Sequence, residues 1–303
     1  MWEGHTDSQD QASGLRRMAR PRPVRVVSIA SGKGGVGKTN ISVNLATALA
    51  GRGKEVMIMD ADLGLANVDV MLGIHPPYTL AQVLSGERTL EEVIVTTPAG
   101  VKVVPAASGT QPMAELDPLQ HAGIVRAFSE LALDLDVLLV DTAAGLSDSV
   151  ITFTKASQEV IVVVCDEPAS ITDAYALIKV LTREHGVERV RILANMVNTL
   201  QAGQRLYEKM ARVTDHYLCV ELDFMGIVPR DENLRRAVAR QQPVVEAFPD
   251  SRAAQAFQLL AQKLEAWPLP QSAGHLEFFA ERLLGRSGGW EAEGASAPIG
   301  WTG

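Results

Sequence analysis

The sequence predicts an α/β protein with a doubly wound, mostly parallel sheet, and three observations support that reading. Short apolar runs alternate with helical patterns from Val24 onward, the signature of right-handed β-α-β crossovers. Several runs are apolar throughout, as strands covered on both faces must be. The first run passes through a glycine-rich loop into the first helix, which is the setting of a phosphate-binding loop.

Taken in order, residues 1–23 are polar, turn basic towards their end and close with Pro21 and Pro23. They read as a mobile arm. Within it Ser8 and Gln11 are spaced as a capping box, and Ala12, Leu15 and Ala19 share one helical face. Strands are expected at 24–30, 56–60, 101–105, 137–141, 160–165, 190–195 and 224–229. Helical patterns fill 40–50, 119–131, 171–184, 201–213 and 251–267. One α/β domain therefore covers 24–267. A Pro-bearing linker at 268–274 follows, then an amphipathic helix at 275–286 and a Gly-, Ser- and Ala-rich tail at 287–303 expected to be disordered. The short helix carries Leu276, Phe279, Ala280, Leu283 and Leu284 on one stripe. That stripe is too short to span a bilayer and suits either its interface or the body of the protein.

Composition narrows the function. With 28 Lys+Arg against 36 Asp+Glu, the 303-residue chain carries a net charge of −8, which argues against a protein that coats nucleic acid. Cys165 and Cys219 form no CxxC pair and the six histidines no HxxxH pair, so neither a disulfide framework nor a Cys/His metal site is expected. The first 25 residues hold no apolar signal core, and no run reaches the roughly 18 apolar residues of a spanning helix. A soluble, cytoplasmic protein is the expectation.

The chemistry begins at Ser31-Gly32-Lys33-Gly34-Gly35-Val36-Gly37-Lys38-Thr39, with a helix opening at Asn40. This is GxxxxGK[ST] between strand and helix. Glycines let backbone N–H groups close around phosphate oxygens, and the helix N-terminus adds partial positive charge. Lys38 then neutralises β/γ-phosphate charge, and the Thr39 hydroxyl is placed to ligate Mg²⁺. Lys33 is a second lysine in the same loop, and a second job is implied.

This KGGxGKT loop resembles the deviant Walker A loop of the MinD/ParA family of P-loop ATPases. In that family the extra lysine, here Lys33, reaches across a dimer interface to the partner's nucleotide. The resemblance extends over 24–267. Asp60-Ala61-Asp62 and the segment after it look like switch I, which gives Asp62 the orienting of the attacking water and Asp60 the support of the Mg²⁺ shell. Asp141-Thr142-Ala143-Ala144-Gly145 looks like Walker B and switch II, which gives Asp141 to the metal. Ala143 stands where many relatives carry proline. Asn195 and Pro229-Arg230-Asp231 match the adenine pocket, and with no NKxD signature ATP is expected over GTP. Catalysis would then rest on Lys33, Lys38 and Asp62, and hydrolysis would be slow and regulatory.

Asp10-Gln11-Ala12-Ser13-Gly14-Leu15-Arg16 is similar to the DQAxxLR motif of the family's flagellar-number branch. There the helix stimulates the GTPase FlhF, which implies partner contacts by Asp10, Gln11, Ala12, Leu15 and Arg16. The same resemblance implies an ATP-dependent homodimer and a flagellar transcription activator (FleQ-like) as partner. It also implies reversible attachment to the inner face of the cell membrane through Leu276, Phe279, Leu283 and Leu284. The competing reading is a positioning or DNA-partition ATPase, which would bind DNA non-specifically; no specific nucleic acid is expected here.

Overall fold

The computed structural model describes residues 23–62, 66–106, 127–128, 131, 133–268 and 276–283. Strand β1 (Arg25–Ser31) leads through the glycine loop into α1 (Lys38–Ala50), and β2 (Val56–Ala61) follows. Three short helices come next: α2 (Val68–Leu72), α3 (Leu80–Leu84) and α4 (Leu90–Val93). They precede β3 (Val95–Thr96), β4 (Lys102–Val104) and β5 (Val137–Ala144). The second half alternates regularly through α5 (Asp148–Ala156), β6 (Glu159–Cys165), α6 (Pro168–His185), β7 (Arg189–Val197), α7 (Leu200–Tyr217) and β8 (Glu221–Pro229). Helices α8 (Glu232–Ala239), α9 (Val244–Ala247), α10 (Arg252–Glu265) and α11 (Leu276–Leu283) complete the described chain.

The eight strands form one sheet in the order β3-β4-β2-β5-β1-β6-β7-β8. Every pairing is parallel except the short β3–β4 contact. Parallel strands bury both faces, and alternate residues of β1 divide accordingly. Val27 and Ile29 join the core under α1 and α10, while Val26 faces the opposite layer with Leu138 and Phe153. Pro168 opens α6 three residues before the expected start, in the N-terminal position where a missing N–H does no harm. The expected helix at 119–131 lies almost wholly outside the described residues, as do the arm at 1–22, most of the linker and the tail.

The stripe of α11 is packed, not presented to a bilayer. Leu276, Phe279, Ala280 and Leu283 are buried in one cluster with Phe153 of α5 and Phe128. The Phe128 and Phe279 rings meet edge to face at 6.0 Å, and Arg282 donates to the Lys155 carbonyl at 2.8 Å. Leu276, Phe279 and Leu283, the residues given to the membrane by the resemblance, are in this conformation packed on the body: it offers an apolar groove and the stripe fills it. Leu284 lies outside the described residues. None of the described helices is long and apolar enough to cross a membrane.

Where the body ends, Arg25 at the start of β1 clasps the chain leaving α10. Its guanidinium donates to the carbonyls of Leu264, Trp267 and Pro268. Arg191, paired with Glu159, stacks 3.8 Å from the Trp267 ring.

Candidate functional site

At the C-terminal ends of the central strands the chain turns from Ser31 into α1 through the glycine loop. Gly37, at the N-cap of α1, takes a left-handed conformation at φ 90°, and a Cβ there would stand 2.6 Å from the Asn195 amide nitrogen. A Cβ on Gly32 would stand 2.1 Å from the backbone of Asp173 in α6. Torsion and space require the first glycine, and space alone requires the second. No side chain caps α1, so its first-turn N–H groups remain for an anion.

The two loop lysines face opposite ways. Lys38 is buried, and its Nζ donates to Ser31 Oγ at 3.0 Å. Burial pulls its ammonium below the usual lysine range, against the charges of Asp141 and Asp62. Lys33 points outward, 38% exposed, and its Nζ pairs with Glu167 Oε2 at 3.0 Å. That bond and the Glu167 charge hold Lys33 above the usual range.

The carboxylates gather through strand register. Asp60 of β2 lies beside Asp141 of β5 in the parallel ladder. Asp141 Oδ1 accepts from Ser42 Oγ at 2.8 Å, and the Thr39 hydroxyl bonds the same carboxylate. Asp60 Oδ1 accepts from the Asp62 N–H at 3.1 Å, and its Oδ2 from Asn67 and Val68 at 3.1 and 3.2 Å. It thus holds both ends of the segment that carries Asp62; Leu63, Gly64 and Leu65 lie outside the described residues. Burial, and after it the Asp141 charge, raises Asp60 to about 7 despite those three bonds. Burial raises Asp141 to about 6. Thr39, Asp60 and Asp141 offer hard oxygen donors only, and their paired buried carboxylates call for a cation. Among the described residues no cluster of three His, Cys, Asp or Glu forms a cage. The oxygen-only donor set fits Mg²⁺, which takes one or two protein oxygens and completes its shell with phosphate and water.

Asn195 ends its run beside Cys165. Its Nδ2 donates to the Val36 carbonyl at 2.6 Å and its Oδ1 accepts from the Met196 N–H at 2.9 Å. The amide expected to read adenine also braces the phosphate loop. Asp231 is bonded through both of its oxygens. One oxygen caps α8 through the Asn233 N–H at 2.9 Å, and the other takes the Ala253 N–H near the start of α10, also at 2.9 Å. Its carboxylate joins two helices, a structural role that the resemblance did not imply. Pro229 ends β8 in register with Val197.

Sequence reasoning missed Ser31, Ser42 and Glu167. Ser42 lies three residues beyond Thr39 on the same helical face, a spacing that could have pointed to it. Glu167 is 134 positions from Lys33, and no local pattern links them. Switch II is tied in as well, for the Gly145 N–H donates to the Ser31 carbonyl at 2.9 Å. Residues Asp10, Gln11, Ala12, Leu15 and Arg16 lie outside the described residues.

Known proteins resemble this chain along most of its length. The ParA family model, described as a NUBPL iron-transfer P-loop NTPase, matches residues 23–265. The chain is 56% identical to the antiactivator FleN of Pseudomonas aeruginosa, over 89% of this chain and 97% of that protein. It is 32% identical to the flagellum site-determining protein YlxH of Helicobacter pylori, over 86% of this chain and 90% of that one. Among solved structures it resembles the septum site-determining protein MinD of Pyrococcus horikoshii complexed with Mg-ADP. There the TM-score is 0.65 and the identity 27%, covering 80% of this chain and 96% of that chain.

Proposed function

The chain belongs to the ParA family of P-loop NTPases, and from that premise we propose that it is an ATP-dependent dimerisation switch setting flagellar number or placement. It is a MinD/ParA-type ATPase of flagellar regulation, converting ATP and water to ADP and phosphate. The observation that carries the proposal is the opposed pair of lysines. Lys38 is buried on Ser31 within its own loop, while Lys33 stands at the surface. In this reading one serves the nucleotide of its own chain and the other a neighbour's.

In this reading the backbone from Gly32 to Thr39, with Asn40 opening α1, cradles the phosphates, and Lys38 spreads the β/γ charge. Thr39 and Asp141 hold Mg²⁺, with Asp60 behind them. When bound there, Mg²⁺ would supply neutralisation of the charge that develops on the phosphate oxygens. Asp62 orients the attacking water, and Asp60 fixes Asp62 by accepting its N–H. Asp62 aligns the water, but no arginine finger in cis is evident among the described residues to stabilise transition-state charge, so turnover is slow, as suits a timer.

The partners follow from the relatives' names and the arm's motif. The arm, through Gln11 and its neighbours, acts on an FlhF-type GTPase. The closed dimer restrains a FleQ-like flagellar activator, which the word antiactivator in the FleN name supports. The protein works in the cytoplasm and attaches reversibly to the inner face of the membrane, for which the α11 stripe must leave its groove. The test is Asp62→Ala with ATP and Mg²⁺ in light scattering. A persistent dimer is expected, and a monomer overturns the proposal.

A further inference from the structure

Glu167 occupies an odd position for its residue type. It is the N-cap of α6, where Ser, Thr, Asp or Asn would ordinarily bond the first helical N–H groups. Its side chain makes no such bond. It turns to Lys33 across the glycine loop, at 3.0 Å. The backbone beneath it is well fixed. The Glu167 N–H donates to the Cys165 carbonyl at 2.8 Å, Pro168 follows, and the buried Ser170 hydroxyl accepts from the Cys165 N–H at 3.0 Å. Asp166 beside it is held by Lys209 of α7 at 3.1 Å. Asp173 adds further negative charge near Lys33. The Lys33 ammonium thus rests in an acidic cradle built on the wall behind the loop.

We propose that Glu167 is a latch that retains Lys33 on its own chain and competes with the partner's nucleotide for it. This rests on the reading that Lys33 acts across a dimer. An ammonium cannot serve a triphosphate on a second chain while its charge is satisfied at home. The latch therefore sets how much ATP-loaded protein is needed before two copies close. A surface ion pair is weak and easily screened, so the latch trims the threshold without locking it. Glu167 is a positioning residue: it acts through Lys33, not on the reacting atoms.

The experiment measures the protein concentration at half-dimerisation by light scattering, with Mg²⁺ and a non-hydrolysable ATP analogue, for wild type, Glu167→Gln and Lys33→Ala. Glu167→Gln is expected to lower the midpoint about two- to five-fold at low salt, the range of an exposed ion pair. That gain should fade as salt rises, which a loss of helix capping or packing would not do. An unchanged or raised midpoint for Glu167→Gln, with Lys33→Ala unable to pair, overturns the latch alone. Pairing by Lys33→Ala at the wild-type midpoint overturns both the latch and the dimer reading on which it stands.

Discussion

Asp60 is the residue whose surroundings ask most of it. Its carboxylate is buried beside Asp141 and raised from 3.8 to about 7, so the folded protein holds this proton more tightly than the unfolded chain does. A raised acid stabilises the fold below its unfolded pKa, and that contribution is lost as pH rises through the folded one. Asp141, raised to about 6, acts in the same direction. The nucleotide- and metal-free protein should therefore lose stability between about pH 4 and 7 through this pair. Asp60→Asn removes much of the effect. By differential scanning fluorimetry the variant should gain about 3–6 °C over wild type at pH 8 relative to their difference at pH 5. A difference that does not change with pH would mean the pair carries no such burden. With Mg²⁺ and ATP present the order should reverse, because the cation then stabilises the ionised pair and Asp60→Asn weakens its hold.

Asp231 and α11 make their points at the scale of elements. Asp231 joins α8 to α10 by two backbone bonds, so Asp231→Ala should cost about 1–2 kcal/mol of stability. ATP affinity in a fluorescent-nucleotide titration should stay within about two-fold of wild type; a ten-fold loss would return the residue to the adenine pocket. Helix α11 packs through Phe279, whose ring lies against Phe128. Phe279→Ala should weaken that docking by about 3 kcal/mol. Hydrogen exchange should then rise in α11 while the central strands stay protected. Protection retained in α11 would show that its other contacts suffice.

For the molecule as a whole, the parallel layers were legible because strands buried on both faces have no polar alternation to obscure them. The runs ending at Asp60, Asp141 and Asn195 finish at the same end of the sheet, the first two on neighbouring strands and the third beyond β1 and β6, and the glycine loop lies at that end. The short helices α3 and α4 escaped periodicity, being too brief for a stripe. Their signals were Thr79 with Gln82 and Thr89 with Glu92, two capping boxes. Helices α5 and α8 were unforeseen too, and β3 is only two residues of edge. What sequence could not give was long-range pairing: Glu167 on Lys33, Asp231 on Ala253, and the α11 stripe on α5. Each depends on which elements the sheet order makes neighbours. The Arg25 clasp has one last geometric effect. It holds the chain at Pro268, at the pole where β1 begins, while the glycine loop lies at the strand's other end. From Pro268 to Leu276 an extended tether reaches about 28 Å at most. Any surface that α11 touches after leaving its groove is met within that leash, measured from the pole opposite the glycine loop.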